Sequence, residues 1–146
     1  MMTYYQPEYF KLEEFFPKVF YDKWKYKPDI LLGKLNPHAL WTLDRMRGIY
    51  GAITVNNWLW GGDLNYRGFR PEGCGVGAEL SDHKTGDAID FGVSKYPSQV
   101  IRADILANPD KDEFKYITVL ERGISWVHLG FRNWDRQTKG ILEVYP

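Results

Sequence analysis

The sequence contains almost no cysteine and no long hydrophobic run. Cys74 is the only cysteine among 146 residues, so the chain can form no internal disulfide and no zinc site built from several thiolates. No window approaches the roughly 20 apolar residues that a membrane-spanning helix needs. Residues 1–10 lack the basic and apolar regions of a signal peptide, and we therefore expect a chain that is cytoplasmic as synthesised.

The chain also lacks an excess of charge of either sign. Nineteen basic residues balance nineteen acidic ones, and no run of lysine or arginine is present. A nucleic-acid-binding domain typically carries a basic patch, because much of its affinity comes from contacts with phosphate groups. We therefore expect neither nucleic acid nor a membrane as a partner.

What is present predicts a single α+β domain over residues 1–146. Apolar residues make up 44 % of the chain, which is enough for a hydrophobic core. Asn36-Pro37 is typical of a helix start, and this helix should end near Gly48. A second helix is expected over residues 98–107, and strands over residues 53–55, 88–91, 116–120 and 125–131. The last two strands predict a hairpin, so we expect helices packed on a small antiparallel sheet.

Two segments show no regular periodicity. Residues 9–24 are dense in aromatic side chains, and Pro17 predicts short helical turns there instead of one long helix. The glycine-rich residues 61–77 predict a functional loop, either ordered or mobile. We expect this loop to form one wall of a cleft, with Trp58, Trp60 and Tyr66 able to pack against a bound peptide.

The segment from Ser81 to Asp90 carries the first two candidate metal ligands. His83 and Asp90 are seven residues apart, and a turn at Gly86 can bring the imidazole and the carboxylate to one point. Imidazole nitrogen and carboxylate oxygen are both good zinc donors.

A third ligand must come from elsewhere, and the chain has only three histidines. His38 follows Pro37 at a helix start, where we expect a surface or capping role. His128 shares the less apolar face of its strand with Trp126, from which it can reach a cleft.

These residues resemble the D-Ala-D-Ala carboxypeptidase type of zinc metallopeptidases. The family pattern S-x-H-x-x-G-x-A-x-D is matched by Ser81, His83, Gly86, Ala88 and Asp90, and its later W-x-H by Trp126 and His128. The family includes vancomycin-resistance dipeptidases and many phage endolysins, and it shares a fold with the hedgehog signalling domain. Residues 9–15, 55–58, 68–70 and 128–133 also look like small phage and prophage members, so the resemblance covers nearly the whole chain.

The resemblance implies a zinc ion held by His83, Asp90 and His128, and peptidoglycan peptide as the substrate. Zinc in such a site activates a water molecule and polarises the scissile carbonyl. A carboxylate then takes the proton of the water and passes it to the leaving amine. Many members place this acid three residues before the last histidine, where the present chain has Ser125. The nearest acid upstream is Glu121, which we expect to act as the base, the alternative being an exposed turn residue.

An arginine upstream of the first motif binds or polarises the substrate carbonyl in related enzymes. Arg70 is the first choice for this role and Arg67 the second, the alternative for either being a solvated loop charge. Ser81 is expected to hydrogen-bond within the ligand loop and not to act as a nucleophile. Together with Arg67 and Trp126, it is expected to line the substrate site.

Three functions remain open at this point. The first is a peptidoglycan peptidase, most simply a phage or prophage endolysin that reaches the wall by release or delivery. The second is a non-catalytic virion or wall-binding protein that retains the zinc fold, which Ser125 favours. The third is a cytosolic dipeptidase acting on free D-Ala-D-Ala. The bond that is cut, the host and the oligomeric state do not follow from the sequence.

Overall fold

The chain alternates short helices with short strands. The computed structural model describes residues 2–137 and 140–146. Within these ranges the α-helices are α1 (Lys18–Trp24), α2 (Pro28–Gly33), α3 (Pro37–Tyr50) and α4 (Ser98–Ala107). The strands are β1 (Ile53–Thr54), β2 (Ala88–Val93), β3 (Val119–Glu121), β4 (Val127–Gly130) and β5 (Leu142–Val144). Single 3-10 turns cover Leu12–Phe15, Trp58–Trp60, Asp82–Thr85 and Asp112–Phe114.

The strands form one mixed sheet in the order β1-β2-β4-β3-β5. The pairs β1–β2, β2–β4 and β3–β4 are antiparallel, whereas β5 runs parallel to β3. The predicted α+β class is confirmed, but the expectation of a purely antiparallel sheet is wrong. The sequence analysis does not include β5, because three residues, all exposed or half-buried, are too short a run to distinguish a strand from a loop.

One face of the sheet packs against the helices and forms the core. Ile89 and Phe91 of β2 and Val127 and Leu129 of β4 are fully buried in one hydrophobic cluster. Side chains alternate between the two faces of a strand, so Asp90 and His128 must lie on the other face. The helices contribute Leu40, Leu43 and Met46 from α3, and Ile101 and Ile105 from α4. Packing of this core holds the sheet in place, so that its other face carries Asp90 and His128.

Helix α3 begins as the sequence predicts and ends two residues later than expected. The side chain of Asn36 accepts a hydrogen bond from the backbone N–H of His38 at 2.9 Å, and Pro37 occupies the first turn. The expectation of a surface position for His38 is wrong, because its side chain is only 2 % exposed. It stacks on Trp134 and meets the edge of Tyr116, partners that are distant in sequence.

The aromatic N-terminal segment forms short turns, as predicted. The 3-10 turn Leu12–Phe15 precedes Pro17, which caps the start of α1 and so separates the two. Phe15 and Phe16 are fully buried. No helix in the described ranges combines the length and the apolar character required to cross a membrane.

The glycine-rich loop of residues 61–77 is irregular, and part of it is tied to the rest of the fold. The N–H of Phe69 donates to the carbonyl of Phe15 at 2.8 Å, and the N–H of Arg70 donates to that of His83 at 3.0 Å. The N–H of Asp90 donates to the carbonyl of Arg67 at 2.7 Å. Residues 67–70 therefore lie between the turn that carries His83 and strand β2. Of the two expectations for the loop, ordered or mobile, these hydrogen bonds favour an ordered conformation for residues 67–70.

Candidate metal centre

The turn that carries His83 is built by local hydrogen bonds. The hydroxyl of Ser81 accepts the N–H of His83 at 3.3 Å and caps the 3-10 turn Asp82–Thr85. Gly86 ends this turn in the left-handed conformation, with φ +77°. The expected role of Ser81 within the ligand loop is therefore observed, and the turn at Gly86 leads directly into β2.

Gly86 also approaches the link between α2 and α3 too closely for any side chain. A Cβ at this position would stand 2.0 Å from the carbonyl oxygen of Lys34, whereas one at Gly75 (φ +74°) would meet no atom within 4 Å. Both substitutions to alanine incur the left-handed penalty of about 1–2 kcal/mol. We expect Gly86→Ala to lower the free energy of unfolding by about 1–3 kcal/mol more than Gly75→Ala, measured by urea titration. Equal losses in the two variants would show that the link moves aside at no cost.

The imidazole of His83 is oriented by a backbone carbonyl. His83 is 1 % exposed, and its Nδ1 lies 2.8 Å from the carbonyl oxygen of Gly68. A carbonyl oxygen only accepts, so Nδ1 carries the proton and Nε2 of the neutral ring has a free lone pair. Such a hydrogen bond on the distal nitrogen is typical of metal-binding histidines.

Strand pairing places Asp90, His128 and Glu121 in one row across the sheet. Asp90 is the register partner of His128 in the β2–β4 pair. The β3–β4 pair includes Leu120 opposite Leu129, and the next position along both strands sets Glu121 against His128. Directly opposed side chains on one face are close neighbours, so the row is a consequence of the register.

The donor atoms of His83, Asp90 and His128 converge on one point. Nε2 of His83 lies 3.2 Å from Oδ2 of Asp90, and Nδ1 of His128 lies 2.6 Å from Oδ1 of the same carboxylate. All three donor atoms lie within 4.8 Å of one another. The structure thus brings together the three residues that the sequence predicts as ligands, and the identity of any ion they hold is a separate question.

The geometry around His83 fits a cation. Its buried Nε2 makes no hydrogen bond of acceptable geometry with the described residues, although Oδ2 of Asp90 is only 3.2 Å away. A free lone pair and a carboxylate oxygen repel each other at this distance unless a proton or a metal ion lies between them. Zinc–donor distances of about 2.0–2.2 Å in a tetrahedral site separate adjacent donors by about 3.3 Å, close to the 3.2 Å between His83 and Asp90. The 2.6 Å between Nδ1 of His128 and Oδ1 of Asp90 is instead the distance of a hydrogen bond.

Asp90 is held in its ionised form. Burial of the carboxyl raises its pKa, but the hydrogen bond with His128 and the nearby ring of His83 together lower it by more. The pKa of Asp90 therefore lies well below the usual range. A carboxylate must be deprotonated to bind a metal. Asp90 is therefore in the charge state that a metal ligand requires.

Arg70 lies at the cluster, as predicted, but its guanidinium is already occupied. Its Nε donates to the carbonyl of Tyr66 at 2.8 Å, and Nη2 donates to Oδ2 of Asp90 at 3.3 Å. Its Nη1 lies 3.5 Å from the hydroxyl of Ser81, at the limit of a hydrogen bond. This arrangement indicates a residue that orients a ligand carboxylate, and direct action of Arg70 on a substrate stays a prediction.

Replacing Arg70 by alanine should therefore weaken metal binding as well as turnover. Loss of a partner that orients a ligand typically costs 10- to 100-fold in metal affinity or activity. Zinc affinity would be measured by competition with a chromogenic chelator, with Arg45→Ala on the exposed side of α3 as the control. Unchanged zinc affinity combined with reduced turnover would instead support the sequence-based prediction that Arg70 acts on the substrate.

Glu121 lies beside the cluster and is partly open to solvent. Its Oε2 is 3.7 Å from Nδ1 of His128, and its side chain is 20 % exposed. The β3–β4 hairpin thus brings Glu121, the nearest acid upstream of His128 in the sequence, to the side of the ligands. Its function as a base stays a prediction.

The remaining site candidates have different surroundings. Trp126 is half-buried just before β4, and its carbonyl accepts a hydrogen bond from Nη1 of Arg102 at 2.7 Å. Arg67 lies next to β2, and no structural contact tests the expected role of either residue in substrate binding. The sequence analysis missed the carbonyl of Gly68 as the partner of His83, because no side-chain signal marks a backbone acceptor.

Comparison of this chain with models of protein families, with curated proteins and with solved structures finds no match.

Proposed function

We propose that this protein is a zinc-dependent peptidase that hydrolyses a peptide bond in bacterial peptidoglycan. One observation carries the proposal: two segments 38 residues apart in sequence, at Asp90 and His128, meet at His83 in a buried cluster of zinc-type donors. The resemblance to the D-Ala-D-Ala carboxypeptidase type then supports a wall peptide as the substrate. Within that family, a phage or prophage endolysin is the form we propose, acting at the wall after release or delivery.

The donor set supports a catalytic site more than a purely structural one. Structural zinc sites usually have four protein ligands, whereas catalytic sites have three and leave a position for water or substrate. Within the described residues, the cluster contains two histidines and one aspartate. A zinc ion held by these residues would supply a Lewis acid that activates water and polarises the scissile carbonyl.

Glu121 is the residue we assign to proton transfer. The carboxylate Oε2 faces Nδ1 of His128 at 3.7 Å and is reachable from solvent. In the proposed reaction, this oxygen accepts a proton from the attacking water and returns it to the nitrogen of the leaving amine. Asp90 is unsuited to this exchange, because it is buried and bonded to His128 and Arg70.

Digestion of purified muropeptides with zinc-loaded protein tests the proposal. Product masses would identify the bond cut, and removal of zinc with a chelator should abolish the products. Hydrolysis of free D-Ala-D-Ala alone would support the cytosolic dipeptidase instead. If zinc binds tightly and no wall peptide is cut under any condition, the non-catalytic alternative that Ser125 favours is correct.

A further inference from the structure

Arg67 is the second arginine of the segment that lies against β2, and its backbone is held on both sides. Its carbonyl accepts the N–H of Asp90 at 2.7 Å, and its N–H donates to Oδ1 of Asn56 at 3.0 Å. Asn56 is fully buried. The backbone of Arg67 is therefore held next to Asp90, a candidate metal ligand.

The guanidinium of Arg67 lies over β2, on the same face as the metal ligands. Gly92 follows Asp90 by two residues and so projects to the same side of the strand. A Cβ at Gly92 would stand 3.9 Å from Nη1 of Arg67, which places the guanidinium above this glycine. No side chain at residue 92 therefore separates this guanidinium from the strand.

Arg67 differs from Arg70 in having no partner for its guanidinium among the described residues. The guanidinium of Arg70 contacts Tyr66, Ser81 and Asp90. That of Arg67 makes no hydrogen bond or ion pair with the part of the chain that the structure describes, although the residue is half-buried. Burial lowers the pKa of Arg67, and the charge of Asp90 partly offsets this effect. Arginine nevertheless remains charged in proteins. Arg67 is therefore a half-buried cation beside the site with no anion paired to it among the described residues.

A carboxylate is the substrate group that best fits this cation. The planar guanidinium presents paired N–H donors that match the two oxygens of a carboxylate, and such charge-assisted pairs are stronger than neutral hydrogen bonds. The carboxylate of Asp90 is paired with Arg70 at 3.3 Å and makes no hydrogen bond or ion pair with the guanidinium of Arg67 among the described residues. A carboxamide has one acceptor oxygen and no charge, and it would satisfy Arg67 poorly.

We propose that Arg67 is a specificity-determining residue that binds a free carboxylate of the substrate close to the scissile bond. The inference rests on the proposed function, since it assigns the substrate of the same site. It predicts that the enzyme discriminates stem peptides with free carboxylates from the same peptides with a carboxamide. A charge-assisted pair of this kind corresponds to about 10- to 100-fold in kcat/KM.

Synthetic stem peptides with each carboxylate in turn replaced by a carboxamide test the proposal. For the parent protein, amidation at one position should lower kcat/KM about 10- to 100-fold. Arg67→Gln should lose this preference, with a raised KM for the free carboxylate and little change for the amide. Arg67→Lys should retain part of it, and Arg45→Gln, an exposed control on α3, should retain all of it. Zinc content should be equal in all four proteins.

Two results would overturn the proposal. Either the parent protein cuts the peptides without preference at any position, or Arg67→Gln slows both members of a pair equally, which indicates a structural role or contact with the scissile carbonyl. If the parent protein cuts no peptide, the proposed function fails separately. Titration calorimetry of the zinc-loaded protein with the same peptides then decides, and equal affinity of the parent and Arg67→Gln for the free carboxylate rejects the role of Arg67.

Discussion

Glu121→Gln should reduce the hydrolysis of wall peptides at least 100-fold while zinc content and fold remain those of the parent. Water activated by zinc is nucleophilic without further help, but the amine leaving group needs a proton. A positioned general acid–base typically contributes about 10²- to 10⁴-fold, or about 3–5 kcal/mol of barrier. Glutamine has nearly the shape of glutamate and still accepts hydrogen bonds, yet it cannot carry the proton. Turnover of muropeptides and zinc content per chain are the two measurements.

Glu143→Gln provides a matched control for this prediction. Glu143 lies on β5, where its carboxylate pairs with Arg122 at 2.8 Å and its side chain is 42 % exposed. The same chemical change at this residue should leave turnover within a factor of about two, since surface substitutions usually change stability by less than 0.5 kcal/mol. If Glu121→Gln digests peptidoglycan at the parent rate, Glu121 is not the base and the base lies elsewhere.

His83→Ala and His128→Ala should each abolish stoichiometric zinc binding. The parent protein is expected to bind about one zinc per chain, and each substitution leaves only two of three protein donors. Because the metal would join the His83 turn to the β-hairpin, zinc should also raise the melting temperature of the parent. Mass action gives about 2.7 kcal/mol of stabilisation at a zinc concentration 100 times Kd. Elemental analysis of gel-filtered protein and thermal unfolding with and without zinc measure the two effects.

The third histidine supplies the control for metal binding. His38 lies in a separate aromatic cluster with Trp134 and Tyr116, so His38→Gln should keep zinc even though it disturbs buried packing. Zinc loss in that variant would show that the assay reports general unfolding and not the loss of a ligand. Full zinc retention in both His83→Ala and His128→Ala would refute the assigned ligands.

Local signals in the sequence predict the main elements well and their ends less well. Asn36-Pro37 predicts the start of α3, and the expected helix over residues 98–107 coincides with α4. The strand expected over residues 116–120 is shorter and shifted, because β3 covers Val119–Glu121. Strand ends are decided by where the partner strand offers hydrogen bonds, and that information lies outside the segment.

The three candidate metal ligands could be predicted because the resemblance to the zinc metallopeptidases marks them, and local order supports that assignment. A histidine and an aspartate on either side of a glycine turn are a local arrangement, and alternation along one strand puts His128 on its polar side. The burial of His38 could not be predicted in the same way. Its neighbours Tyr116 and Trp134 are distant in sequence, and no local pattern indicates that they will cover it.

The sequence by itself therefore determined the α+β class and the starts of α3 and α4, and its resemblance to a zinc peptidase family marked the three residues of the candidate metal cluster. Only the tertiary structure decided that Glu121 stands opposite His128, because this depends on the register between two strands. It also distinguished the two arginines, since Arg70 is bonded to Asp90 whereas Arg67 faces the site without a partner in the described residues. Residue types and their spacing in the sequence indicate which ligands a side chain is able to bind. Which atoms it meets depends on contacts between segments that only the packed chain brings together.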